Sequence, residues 1–200
     1  MTEKLRHDPS NGYEAMADVF MRIRNQRIGP NVVREWSALL APGTTVLDIG
    51  CGCGRPISKV LIDRGLIVYG IDASQKMIAA FRAEFPNAMA ECASIEESSF
   101  FDRTFDAVLS WGLIFLLKED SQRVLIQKAA AALRPGGRLL LTAQRDPVTW
   151  NDGMTELPSR SLGAAVYWDL LHAAGLERDD ELPEHRQDEG ENYYFFARKN

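Results

Sequence analysis

The stretch VLDIGCGCG, residues 46–54, constrains the fold more than any other part of this chain. An apolar run ends in an aspartate, and glycines follow at alternate positions, Gly50, Gly52 and Gly54. Glycine loses more backbone freedom on folding than any other residue, so this spacing marks a backbone that must turn sharply or touch something closely. The segments after it define the setting. RPISKVLIDRG reads as a helix closed by Gly65, LIVYGID as a strand, and SQKMIAAFRAEFP as a helix ended by Pro86. AMAECAS reads as a short strand and FDAVLSWG as a longer one. SQRVLIQKAAAALRPGG is a helix running into a Pro-Gly-Gly turn, and RLLLTAQ is a fifth strand. Strands thus alternate with helices from Thr44 to Gln144, the pattern of a parallel sheet covered on both faces. VLDI and IVYGI are apolar on successive residues, as strands buried on both sides must be.

The flanks are looser. Residues 1–12 read as a frayed tail, and YEAMADVFMRIRN as a helix from Tyr13 to about Asn25. Asn31 is placed to cap a second helix, VVREWSALL. After Gln144 the sequence predicts a loop to about Pro158, a helix in SLGAAVYWDLLHAAG, a solvated acidic stretch from Glu177 to Glu191, and a last strand, NYYFFARK. With 200 residues, 46% of them hydrophobic, the chain can bury one full core. One domain over 1–200 is expected, with N-terminal helices in 1–42, a binding core in 43–144 and a substrate-side region in 145–200.

The net charge of −5 and pI near 5.3 supply no general attraction to nucleic acid or an anionic membrane. No apolar run approaches the roughly 20 residues of a membrane helix, and the polar N-terminus has no signal-peptide core. The three cysteines, Cys51, Cys53 and Cys92, do not make a disulfide framework and fit a reducing cytoplasm. Two thiols one residue apart lack zinc-ligand spacing, so no metal is expected.

In an open parallel sheet, ligands bind beyond the carboxyl ends of the strands where the strand order reverses, and the first strand-to-helix loop usually lies there. Such a loop offers bare N–H groups and the positive end of a helix to a polar or anionic group. A dinucleotide binder would need a third glycine where Arg55 stands. The pattern present is D-x-G-x-G-x-G, from Asp48 to Gly54. With the preceding strand, it resembles the first motif of the class I S-adenosylmethionine-dependent methyltransferases.

The resemblance runs from about Val46 to Thr142. Asp72 ends the second strand, where the family places an acid against the ribose hydroxyls, with Ala73, Ser74 and Met77 following. In CASIEESSF, Ser94 stands where the family often has the aspartate that contacts adenine, and Ile95 can cover the ring. Two departures stand out. Phe115 and Leu116 occupy the region where a histidine is common, and Ser110-Trp111-Gly112-Leu113 replaces the Asn/Asp-Pro-Pro-Tyr-like motif of amide methyltransferases. The resemblance implies a three-layer α/β, doubly wound, mainly parallel seven-stranded sheet, the Rossmann-like methyltransferase fold, with an N-terminal helical lid. It implies S-adenosylmethionine as cofactor and S-adenosylhomocysteine as product; the compact size and acidic pI favour a small-molecule acceptor over nucleic acid, and no membrane partner is expected. Its cofactor set is Tyr13, Asp48, Gly50, Cys51, Gly52, Gly54, Asp72, Ala73, Ser74, Met77, Ser94, Ile95, Trp111 and Gly112. Its acceptor-side candidates are Trp111, Trp150, Ser159, Arg160, Asn192 and Tyr193, with Glu189 weaker.

No catalytic base stands out. His172 lies in an apolar-periodic helix, His185 in the acidic stretch and His7 in the tail. Methyl transfer does not require a base, because the sulfonium supplies the reactivity and the acceptor's own pKa decides. Two alternatives stay open at this point: an NAD-dependent oxidoreductase, against which Arg55 argues, and a module that binds S-adenosylmethionine without turnover. The acceptor atom and the oligomeric state are not encoded in any motif.

Overall fold

The computed structural model describes residues 8–182 and 192–200. Seven strands form one sheet in the order β3-β2-β1-β4-β5-β9-β8. They are β1 (Thr45–Ile49), β2 (Ile67–Asp72), β3 (Met89–Cys92), β4 (Phe105–Ser110), β5 (Leu133–Ala143), β8 (Leu176–Arg178) and β9 (Tyr193–Lys199). The first five run parallel, and β9 is antiparallel to both β5 and β8. Among the described residues six α-helices accompany them: α1 (Tyr13–Ile23), α2 (Pro30–Ser37), α3 (Ile57–Asp63), α4 (Gln75–Glu84), α5 (Glu119–Ala132) and α6 (Ala164–Ala173).

Side-chain alternation along the strands divides the core in two. Val46, Val68, Leu109, Leu140 and Phe196 pack with Trp36 of α2, Leu61 of α3 and Phe81 of α4. Their strand neighbours Leu47, Val108, Leu139, Leu141 and Phe195 pack with Leu125 of α5 and Tyr167 and Leu171 of α6. Both sheet faces are therefore apolar, which is why the strands read as continuous hydrophobic runs. The chain leaves β1 toward β2 and β3, then returns to place β4 on the other side of β1. That reversal opens a crevice between the loops after β1 and β4.

Several local expectations need correction. Asn31 does not cap α2. Pro30 opens the helix with Gly29 before it, and Asn31 instead accepts a hydrogen bond from Arg34 on the next turn. The region 145–158 is not all loop, because β6 (Val148–Asn151) pairs antiparallel with β7 (Pro158–Ser161) as a separate hairpin. The acidic stretch begins inside the sheet: Leu176–Arg178 is β8, and buried Asp179 accepts a hydrogen bond from the equally buried guanidinium of Arg138. The rest of that stretch from 183, with His185 and Glu189, lies outside the described residues, as does His7. Within the expected frayed tail, residues 8–12 form a turn in which the Asp8 carboxylate accepts bonds from the Ser10 and Gly12 N–H groups, leading into α1.

Candidate functional site

At the reversal point lies a cavity of about 350 Å3, within the size range of small-molecule sites. Its floor is the glycine loop. Gly50, Gly52 and Gly54 all have positive φ, at 78, 54 and 83°. A Cβ on Gly50 would sit 2.9 Å from Leu113, and one on Gly54 would sit 2.5 Å from Phe85. At Gly52 it would project into the cavity, with Met77 Sδ 4.0 Å away as its nearest neighbour. The loop glycines thus divide their work. Gly52 bares backbone to the cavity, whereas Gly54 lets the Phe81 and Phe85 rings pack behind the loop.

Asp72 ends β2 with its carboxylate between two backbone donors. One oxygen accepts from Gly52 N at 2.9 Å and the other from Ser74 N at 2.8 Å. Each carboxylate oxygen has two acceptor sites, so one remains on each. Burial raises the Asp72 pKa above the ordinary carboxylate range, opposed by those two hydrogen bonds. Asp48 on β1 is fully buried and accepts from Ser58 Oγ of α3. Burial holds its carboxyl up at about 7, with the Ser58 bond working against this and the Asp72 charge adding to it.

Further along the wall, Ser94 Oγ donates to Glu97 Oε2 and accepts from Glu97 N, so its remaining capacity is as an acceptor. Ile95, nearly buried, lies beside it. Trp111 lines the cavity but is wedged against Tyr194, with ring centroids 5.6 Å apart.

Helix α1 spans the cavity. On one side Glu14 accepts from Ser74 Oγ and Lys76 N at the start of α4, and Lys76 pairs with Asp18. On the other side the Tyr13 hydroxyl donates to Asp152 of the β6–β7 hairpin at 3.3 Å. Burial, then the Asp152 carboxylate, push the Tyr13 hydroxyl well above its usual range. Phe20 and Arg24, on the same face of α1 and its end, also line the cavity. Burial lowers the Arg24 pKa, and the charges of Tyr13 and Cys53 oppose that. Among the described residues no carboxylate lies within ion-pair distance of Arg24.

The cavity brings together Tyr13, Asp48, Gly50, Cys51, Gly52, Asp72, Ala73, Met77, Ser94, Ile95, Trp111, Gly112 and Asn192 from the sequence-derived set. It does not include Gly54 or Ser74. Ser74 is buried as the N-cap of α4, accepting from Met77 N. It also omits Trp150, which packs behind the lining residue Phe115 at 5.4 Å, and Ser159, whose side chain is buried in the hairpin. Arg160 is exposed and pairs with Glu119, and the Tyr193 hydroxyl accepts from Trp168 on α6. The sequence reading missed Phe20, Arg24, Phe115 and Asp152. The first two could have been found, since Tyr13, Phe20 and Arg24 stand at i, i+7 and i+11, one helical face. Asp152 carries no local signal. Among the described residues no cluster of His, Cys, Asp or Glu is placed to hold a metal, and no helix is long and apolar enough to cross a membrane.

Comparison with known proteins bears on what this cavity holds. Residues 46–137 match the model of a methyltransferase domain family. A 27-O-demethylrifamycin SV methyltransferase from Amycolatopsis mediterranei is 29% identical over 164 residues, 70% of this chain and 60% of the relative. The chain therefore spans less than two thirds of that relative. The structure of the CcbJ methyltransferase from Streptomyces caelestis aligns with a TM-score of 0.74 at 21% identity, covering 96% of this chain and 99% of the other. An amino pentose methyltransferase from Micromonospora echinaspora, solved with S-adenosylmethionine bound, aligns at 0.68 with 19% identity over the whole of both chains. The dinucleotide alternative finds no support among these matches.

Proposed function

We propose that this chain, whose residues 46–137 match a methyltransferase domain family and whose fold aligns with methyltransferase structures, binds S-adenosylmethionine and methylates a small-molecule acceptor. The observation that carries the reading is the Asp72 carboxylate, fixed by Gly52 N and Ser74 N with one free acceptor site on each oxygen. That pair of sites matches the two hydroxyls of a ribose. The other donors and acceptors fit the rest of the cofactor. The Ser94 oxygen suits the adenine amino group, and Ile95 the ring face. The bare Gly52 backbone suits the close approach of the methionine portion, and Arg24 suits its carboxylate. Asp48, below the loop, holds the loop through Ser58.

When bound, the cofactor supplies a methyl group already activated by its sulfonium. The protein's part is to position and to exclude water. Helix α1 acts as a lid, tied to α4 through Glu14 and to the hairpin through Tyr13. Phe20, Trp111, Phe115 and Leu117 give the acceptor side apolar walls. On this reading the N-terminal helices, the binding core and the C-terminal hairpin act as one domain. The free thiols of Cys51, Cys53 and Cys92 suit a cytoplasmic protein. The acidic balance and the small cavity favour a small acceptor over nucleic acid.

The test is calorimetric titration with S-adenosylmethionine, S-adenosylhomocysteine and NAD in parallel. Binding of the first two without the third is expected. Binding of NAD alone would overturn the reading.

A further inference from the structure

Asp152 lines the cavity, and the cofactor assignment leaves it unused. It is nine-tenths buried, at the end of the β6–β7 hairpin strand pair. Its two oxygens differ. Oδ1 accepts from Met154 N and Thr155 N, both at 2.9 Å, from Thr155 Oγ1 at 3.2 Å and from the Tyr13 hydroxyl at 3.4 Å. Those bonds fix the carboxylate's orientation. Oδ2 accepts only from the Tyr13 hydroxyl, at 3.3 Å, a long contact for an O–H donor. A lone pair therefore remains on Oδ2 in the cavity wall. Among the described residues no Lys, Arg or His lies within ion-pair distance of Asp152.

A buried carboxylate without a cation is costly unless a ligand supplies one. Tyr13 cannot relieve it by giving up its proton, because burial and the facing carboxylate hold that hydroxyl neutral. Tyr13 is a positioning residue, donating to Asp152 and linking it to the lid. Phe20, Trp111, Phe115, Leu116 and Leu117 give the cavity apolar lining, and the Arg24 guanidinium, whose charge acts on Tyr13, lines it too.

Resting on the cofactor reading above, we propose that Asp152 binds the acceptor's reacting nitrogen and takes its proton, and that the acceptor is a small amine with an apolar body. The amine enters as an ammonium ion paired to Oδ2. As the methyl group approaches, one N–H proton moves to Oδ2. The freed nitrogen pair forms the new N–CH3 bond while the S–CH3 bond breaks and its electrons stay on sulfur. The products are a methylated ammonium and a neutral thioether, with the proton left on Asp152 for release to solvent. An alcohol would bring a hydrogen bond to Oδ2 but no charge to neutralise it.

Sinefungin, the cofactor analogue with an amine in place of the methylsulfonium, reads this arrangement by binding alone. Calorimetry would compare sinefungin with S-adenosylhomocysteine on the wild type and on Asp152→Asn, which keeps an oxygen for Met154 N and Thr155 N but removes the charge. Sinefungin is expected to bind the wild type at least about tenfold tighter than S-adenosylhomocysteine, and the variant by less than about threefold, with S-adenosylhomocysteine unchanged. An equal advantage in both proteins, or none in the wild type, would overturn the assignment. If the variant does not fold, titration of the S-adenosylhomocysteine-loaded wild type with benzylamine and benzyl alcohol decides. Equal binding of the two sinks the amine class, and preference for benzylamine sustains it. Failure of S-adenosylhomocysteine itself to bind would instead remove the cofactor reading.

Discussion

Replacing Asp72 with alanine should weaken cofactor binding by about two orders of magnitude, and the structure shows where that figure comes from. The carboxylate spends one acceptor site of each oxygen on Gly52 N and Ser74 N. It keeps one site each for two ribose hydroxyls. Hydrogen bonds to a charged group contribute about 1.5–3 kcal/mol each, so two would be worth roughly 3–6 kcal/mol. Water can enter the vacated space and recover part of this, which brings the expected loss to about 3 kcal/mol, or near 100-fold in Kd. The variant also leaves Gly52 N without its acceptor and loosens the loop, which adds to the loss. The assay is calorimetry with S-adenosylhomocysteine and with 5′-methylthioadenosine, which keeps the ribose but lacks the amino-acid tail. Both should weaken together, because both use the diol. A change below about threefold for a variant with unaltered thermal unfolding would refute the ribose assignment. Weakening of S-adenosylhomocysteine alone would place Asp72 at the other end of the ligand.

The same two ligands separate Arg24: Arg24→Met should cost S-adenosylhomocysteine about tenfold in affinity and leave 5′-methylthioadenosine unaffected. Equal loss for both would show that Arg24 acts on the lid rather than on a carboxylate. Asp48, with a folded pKa raised from 3.8 to about 7, makes the ligand-free protein lose stability as pH rises through that interval. The loss is on the order of 4 kcal/mol at about 1.4 kcal/mol per pH unit. Asp72, raised in the same direction, adds to it, and the lowered carboxyl of Asp106 acts only below this window. Urea unfolding at pH 5 and pH 8 checks the sign, and greater stability at pH 8 would contradict it. Gly54→Ala should destabilise by about 2–4 kcal/mol, since it combines a strained backbone with overpacking. Its φ is +83°, and the new Cβ would lie 2.5 Å from Phe85 and 2.9 Å from Phe81. Denaturant unfolding of that variant within about 0.5 kcal/mol of wild type would show that the loop yields.

Local chemistry accounts for what could be read directly from the residues. Consecutive apolar positions in VLDI and IVYGI require burial on both faces, so the alternating α/β core was legible without any contact being known. Glycines at 50, 52 and 54 are legible for a similar reason, because a positive φ and a missing Cβ are properties of the residue itself. Asp72 stood out because it ends a strand beside that loop.

Only the tertiary structure settled the rest. The strand β8 and the buried Arg138–Asp179 pair form because a sheet edge must be completed, and the acidic residues around them gave the opposite local signal. The hairpin β6–β7 combines exposed Val148, Thr149 and Asn151 with a proline, a weak strand pattern stabilised by pairing and by Trp150 on Phe115. Tyr13 and Asp152 meet across 139 positions of chain. Neither residue's neighbours in sequence announce that contact. It exists because a helix that precedes the sheet and a hairpin that follows β5 both close over the same crevice, and such long-range meetings are fixed by packing rather than by local propensity.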